Sequence, residues 1–256
     1  MKNLIKALLV ISMLTAPFAN AEVLTVAIAG NLKYVFDDLA VAFKKETGIE
    51  TQSVLNASGK IATQVRNGAP FDVFMSADMD FPNGLYKDGF ATTRAKPYAY
   101  GQLVLWTDKG VDLSKGVAFL ADKSIVKVAI ANPKVAPFGK QALKVLDYYK
   151  VRAVVEPKLV YGESISQVSQ YVDAKVVDVG FSAKSIVLAS EAAGKGQWVN
   201  VPPESYEPIA QGIVILKHGS EVNGDAARKF YDFVMSAKAR EIFAKNGYAV
   251  KALKVP

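Results

Sequence analysis

Two stretches about a hundred residues apart follow one plan. "LTVAIAGNLKYVFDDLAVAFKKETG", starting at Leu24, and "VKVAIANPKVAPFGKQALKVLDYYK", starting at Val126, each run an apolar strand into a small corner and then a helix. In the first, Leu32, Val35, Phe36, Leu39, Ala40 and Phe43 fall at i, i+3, i+4, i+7, i+8 and i+11, one apolar face. Lys44 and Lys45 sit in its last turns, and Gly48 supplies a C-cap. Each stretch is followed by a second such unit, "SVLNASGKIATQV" and "LVYGESISQVSQYV". Alternation of strand and helix argues for parallel sheets with helices on both faces. A pair of units that occurs twice further suggests two α/β lobes. Repeated βα units occur in any α/β protein, so a common α/β arrangement stays open on this evidence.

The remaining segments fit the same order. "IETQSVL" and "DVFMSAD" read as strands, with a helix through Ile61, Ala62 and Val65 to Gly68 between them. "YGQLVLW" reads as one strand and "KVAIANP" as another, the latter leading into a helix from Lys140 to Tyr149. A helix through Ile165, Val168 and Val172 precedes the strand "VVDVGFS". After "YEPIAQGIVILK" the chain ends in helices around Ala226–Met235 and Ala239–Asn246. The expected organisation is lobe I over 22–104, lobe II over 105–206, and a return to lobe I over 207–256. Two crossings then join the lobes as a hinge.

The opening "MKNLIKALLVISMLTAPFANA" has Lys2 and Lys6, an apolar run from Ala7 to Leu14, and an Ala19-Asn20-Ala21 ending. That order predicts a secretory signal peptide over 1–21, cleaved after Ala21, and a periplasmic location. The apolar run is too short for the ~20 residues that span a bilayer. Cysteine is absent, so no disulfide can contribute and core packing must hold the exported chain together. Removing Lys2 and Lys6 lowers the formal net charge from +7 to +5. The lysines are scattered, with no basic stripe of the kind that nucleic acid selects.

In parallel α/β units, ligands bind beyond the carboxyl ends of the strands. Four corners there are small or expose backbone: Gly30-Asn31, Ala57-Ser58-Gly59, Pro137-Phe138-Gly139 and Gly162-Glu163-Ser164. Each precedes a helix pattern, and a helix start offers unpaired N–H groups to an anion. Two lobes facing each other converge all four corners on one point. Hydrogen bonds to a charged group give roughly 1.5–3 kcal/mol each. Four to six of them, less dehydration, reach the roughly −8 kcal/mol of a micromolar site. The competing reading makes Asn31, Ser58 and Ser164 plain N-caps. A ligand serine donates its hydroxyl hydrogen; a capping serine accepts from the helix.

At these residues the chain resembles the periplasmic molybdate-binding proteins of ABC transporters, a type II solute-binding fold. The similarity covers nearly all of 22–250 and rests on "VAIAGNL", "NASGKIATQVRNGAPFDVFMSAD", "ANPKVAPFGKQAL" and "GESISQV". The resemblance implies a non-enzymatic, monomeric binder of molybdate or tungstate that delivers the oxyanion to a membrane permease, with no cofactor. It also implies the ligand set: Asn31 with the Gly30 N–H, Ser58, and the backbone N–H groups of Phe138 and Ile165. Many family members carry Ser where Asn31 stands, and some place a Tyr ligand where Ala183 falls. Lys33, Lys60 and Lys140 flank the corners without an assigned role. The rivals are a binder of another tetrahedral oxyanion, such as sulfate, and a secreted α/β enzyme acting on a phosphate-bearing substrate.

Other residues carry less. Tyr148-Tyr149 resembles the tyrosine pair of iron-binding relatives on this fold, but it lies late in a helix, far from the strand ends, and Tyr149 reads as core. His218, the only histidine, reads as a turn residue and leaves no Cys/His metal spacing and no Ser–His–acid triad. Asp72 and Asp178 read as structural acids. An amino-acid binder needs an arginine for the carboxylate, and Arg66 and Arg94 face no corner.

Overall fold

A computed structural model describes residues 23–192 and 194–251. The expected signal peptide lies outside the described residues. Among those residues, no helix is long and apolar enough to cross a membrane.

The first repeat becomes β1 (Val23–Ala29), a 3-10 turn over Gly30–Leu32, and α1 (Val35–Thr47). Leu32 is therefore fully buried beneath that turn rather than in the helix, and α1 starts at Val35. Val35, Phe36, Leu39 and Phe43 are buried along one face of α1. Each such side chain contributes about 1.5–3 kcal/mol. Gly48 ends α1 in the left-handed region, at φ 76°, with its N–H on the Lys44 carbonyl. The chain continues through β2 (Glu50–Asn56), α2 (Ser58–Arg66), β3 (Val73–Met75), α3 (Asp80–Lys87) and β4 (Lys96–Gly101).

The second repeat lies beyond β5 (Leu103–Thr107) and becomes β6 (Val128–Ala131) and α4 (Pro137–Tyr148). α4 begins three residues before the expected Lys140 because Pro137 occupies the first turn, where a missing N–H costs nothing. A short α5 (Arg152–Val155), β7 (Leu159–Gly162), α6 (Ile165–Asp173), β8 (Val179–Ala183), α7 (Lys184–Ala192) and β9 (Gln197–Asn200) follow. β10 (Ile209–Ile215), α8 (Lys217–Val222), α9 (Gly224–Val234) and α10 (Ala237–Lys245) close the described chain.

These strands form two five-stranded sheets of the same design, in the orders β2-β1-β3-β10-β4 and β7-β6-β8-β5-β9. In each, the repeated strand is flanked by two parallel partners, β2 and β3 beside β1, and β7 and β8 beside β6. The fourth strand, β10 or β5, runs antiparallel to both neighbours. Four strands of five thus share one direction. The carboxyl ends are in register, Ala29 against Asn56 and Ala131 against Gly162.

"YGQLVLW" is not one strand. It breaks at Gln102, so that β4 completes the first sheet and β5 enters the second. The return passes from β9 to β10 between Asn200 and Ile209. Each crossing therefore enters the reversed strand of the sheet it reaches. The first sheet is covered by α1, α9 and α10 on one face and by α2 and α3 on the other. The second carries its own core around Trp106, Phe138 and Phe181, into which Ala29, Ala57 and Ala77 of the first lobe also pack. The lobes are thus in contact at the strand ends.

Candidate oxyanion site between the lobes

Gly30, Asn31, Ser58, Phe138 and Ile165 line one cavity, and alanine and proline form the rest of its wall. The space that admits the centre of a water-sized sphere is about 10 Å³, far below the roughly 300–1,000 Å³ of an organic-ligand site. Three α-helices begin there: α2 at Ser58, α4 at Pro137 and α6 at Ile165. The N–H groups of Ser58, Phe138 and Ile165 lie in first turns, where no intrahelical acceptor exists. The first corner contributes a 3-10 turn rather than an α-helix start.

The corner side chains divide between capping and other work. Ser164 is a cap: its Oγ accepts from the Gln167 N–H at 3.3 Å. Ser58 is not. Ala57 holds the capping position, and Ser58 Oγ accepts from the Ala77 N–H at 3.0 Å. With that oxygen engaged, the hydroxyl hydrogen is left to donate. Asn31 makes no cap bond either; its Nδ2 donates to Gln211 Oε1 and to Tyr248 Oη, each at 2.9 Å. Gly139 owes its identity to packing, because a Cβ there would stand 1.9 Å from the Ala131 carbonyl oxygen.

No charged side chain lines the cavity. Lys33 sits over the Tyr34 ring at 5.0 Å, Lys60 pairs with Glu163, and Lys140 lies 3.7 Å from Asp80. The last two pairs bridge the lobes. A neighbouring cleft cavity shares Ala77 and Pro137 but presents Asp78, Asp80 and Glu207 beside Lys140. Those carboxylates disfavour a dianion there. Burial pushes the Asp78 carboxyl up to about 6, against hydrogen bonds from the Phe81 N–H and the Ser76 hydroxyl that lower it.

Sequence reasoning missed the polar layer behind Asn31. Tyr248 Oη and Ser185 Oγ donate to the Asn31 carbonyl, each at 2.9 Å, and Tyr98 Oη donates to Gln211 Oε1 at 2.8 Å. Burial raises the pKa of both phenols, so they keep their hydrogens. Gln211 had a visible signal, a fully buried amide in the apolar strand "IAQGIVI". Ala183 is buried at the end of β8 outside the cavity, while Ser185 of the same segment reaches Asn31.

The residues set aside earlier lie elsewhere. His218 sits in α8 rather than a turn, because its Nδ1 is held 3.0 Å from buried Asp72, which also accepts the Thr25 N–H. Asp178 accepts the N–H groups of Val126 and Lys127. Arg66 pairs with Asp88, and Arg94 stacks on Tyr86. Tyr149 packs against the second lobe's core.

A family model described as bacterial extracellular solute-binding protein matches residues 24–249. The chain belongs to that family. This solute-binding protein is 38% identical over 248 residues to the molybdate-binding protein ModA of Rhodobacter capsulatus, covering 96% of this chain and 95% of the relative. It is 36% identical to the ModA of Azotobacter vinelandii, covering 93% and 94%. The solved periplasmic molybdate-binding protein of A. vinelandii superposes with a TM-score of 0.82 at 32% identity, covering 89% of this chain and 99% of that one.

Proposed function

We propose that this protein binds molybdate in the periplasm and delivers it to the membrane permease of an ABC importer. The observation that carries the reading is the small interlobe cavity ringed by first-turn N–H groups and the Ser58 hydroxyl, with no charged wall. Neutral donors with no carboxylate among them favour a fully deprotonated dianion. Gly30, Asn31, Ser58, Phe138 and Ile165 are the proposed ligands, those of Gly30, Phe138 and Ile165 through backbone N–H. Tungstate, of the same charge and nearly the same radius, is a second ligand of the same site. The protein acts as a monomer without a cofactor and catalyses nothing. Donors from both lobes make the anion a bridge, which shifts the population toward the closed form. The hinge runs through Gln102 and the 200–209 segment.

Calorimetric titration with molybdate, tungstate, sulfate and phosphate tests this. Molybdate and tungstate are expected at micromolar Kd or tighter, with sulfate at least ~100-fold weaker, a gap of about 2.7 kcal/mol. Comparable sulfate affinity would make the protein a general tetrahedral-oxyanion binder and overturn the molybdate reading.

A further inference from the structure

Behind the cavity, two buried carboxamides are set against each other. Asn31 is 1% exposed and Gln211 is fully buried. Asn31 spends both Nδ2 hydrogens on Gln211 Oε1 and Tyr248 Oη, which leaves its Oδ1 without a partner. Gln211 accepts through Oε1 and leaves its Nε2 unpartnered. Tyr98 must share its single hydrogen between Gln211 Oε1 at 2.8 Å and the Ser76 carbonyl at 3.1 Å. Buried polar groups without partners are costly. Here an unpaired acceptor and an unpaired donor lie on amides that already touch. In this setting the Asn31 carboxamide offers an anion an oxygen and no hydrogen.

Turning both carboxamides by half a turn changes every term. Gln211 Nε2 then donates to Asn31 Oδ1 and to Tyr98 Oη, and Tyr98 gives its hydrogen to Ser76 alone. Tyr248 donates to Asn31 Oδ1, while the Asn31 carbonyl keeps the Ser185 hydroxyl. The Asn31 Nδ2 hydrogens are released from Gln211 and Tyr248, and Gln211 Oε1 takes over the unpartnered position that its Nε2 held. We propose that Gln211 is the positioning residue of the oxyanion site: with the anion bound, it holds the Asn31 carboxamide in the reversed setting, Oδ1 on Gln211 and Nδ2 toward the anion. The inference rests on the molybdate reading of the cavity. Gln211 does not touch the ligand; it decides whether Asn31 presents a donor.

The test is a double-variant cycle read by calorimetry with molybdate. The four proteins are the parent, Gln211→Met, Asn31→Ser and the combined variant. Met matches Gln in length but cannot orient an amide, whereas a serine hydroxyl turns its own hydrogen to the anion. Gln211→Met is expected to weaken binding at least tenfold beside Asn31, the scale of one charge-assisted hydrogen bond. In the Asn31→Ser background the same change is expected to cost less than threefold. Equal losses in both backgrounds, or no loss in either, overturn the positioning role. A parent that binds none of the oxyanions overturns the functional reading and this inference together. Should Gln211→Met not fold, the side-chain amide signals of the intact parent decide by nuclear magnetic resonance. Saturating molybdate is expected to shift the NH2 signals of both Asn31 and Gln211, and an unmoved Gln211 signal overturns the proposal.

Discussion

Across the cleft the Gly59 N–H donates to the Val135 carbonyl at 2.9 Å, and the same glycine has no room for a side chain. A Cβ at Gly59 would stand 2.8 Å from Phe81 Cζ and 3.0 Å from Val135 Cα. The first neighbour is the tip of a flexible ring in the same lobe. The second is backbone of the opposite lobe. The glycine therefore sets how closely the lobes approach, one residue from Ser58.

Gly59→Ala is accordingly a closure variant. Gly59 lies in the first turn of α2 without a positive φ, so in an open form alanine has only to displace the tip of the Phe81 ring. Overpacking at close contact costs about 1–3 kcal/mol, which converts to roughly 5- to 150-fold in affinity. Calorimetry is expected to show that loss with a parent-like melting temperature without ligand. Scattering is expected to show a larger radius of gyration than the parent at saturating molybdate. Parent-like affinity would mean that the Gly59–Val135 contact does not limit closure.

Ser58→Ala tests the donor most directly. Removing the hydroxyl takes a hydrogen bond from the anion, expected to weaken molybdate binding by roughly 1.5–3 kcal/mol. The sequence alone predicts little effect on the ligand-free protein unless Ser58 is a cap. The structure changes that expectation, since the Ala77 N–H loses its acceptor in a buried place. A stability loss of about 1–3 kcal/mol is therefore expected as well, read from urea unfolding without anion. Loss of stability with unchanged affinity would reduce Ser58 to a support for Ala77.

What could be read in advance follows from the range of the forces involved. The strand–corner–helix units are local patterns, so their apolar spacing marks β1, α1, β6 and α6 wherever the chain places them. The break at Gln102 is not local. "YGQLVLW" carries no turn signal beyond a single Gly-Gln step, and pairing with β10 on one side and β8 on the other divides it. α3 escaped because Pro82 and Gly84 interrupt an otherwise helical stretch. The cavity-lining residues were legible as small corners, whereas Tyr248, 217 positions from Asn31, is a lone tail residue with no pattern to announce it.

Stability is expected to depend on pH through Asp78. Its folded pKa, about 6, lies above the ordinary 3.8 because burial disfavours the carboxylate. The protonated form is thus favoured by folding, so its contribution is fully present below pH 3.8 and is lost as pH rises through about 6. A shift of this size corresponds to an upper limit of roughly 3 kcal/mol, reduced by the solvent that reaches the partly exposed carboxyl. Asp78→Asn is expected to remove this downward slope between pH 4 and 7 and to leave the variant more stable than the parent at pH 7. Parallel urea-midpoint profiles for the two proteins over that range would refute the assignment.

The lysines at the cleft provide the last test, because a site built from neutral donors predicts small effects from every one of them. Lys60 and Lys140 are spoken for by Glu163 and Asp80, and both pairs join the lobes at the exposed rim. Exposed ion pairs contribute about 0–1 kcal/mol, so Lys60→Met or Lys140→Met is expected to weaken molybdate binding by less than about fivefold. The effect should shrink as salt rises from 50 to 500 mM, since the Debye length falls well below the ~10 Å that applies at 0.1 M. A lysine that held the anion directly in a desolvated cavity would behave otherwise. Its loss would strand a buried dianion contact and cost 1.5–3 kcal/mol or more, with little relief from salt. Calorimetric titration of both variants at the two salt concentrations separates a rim latch from a hidden ligand, and a salt-independent loss above tenfold would place a lysine in the site.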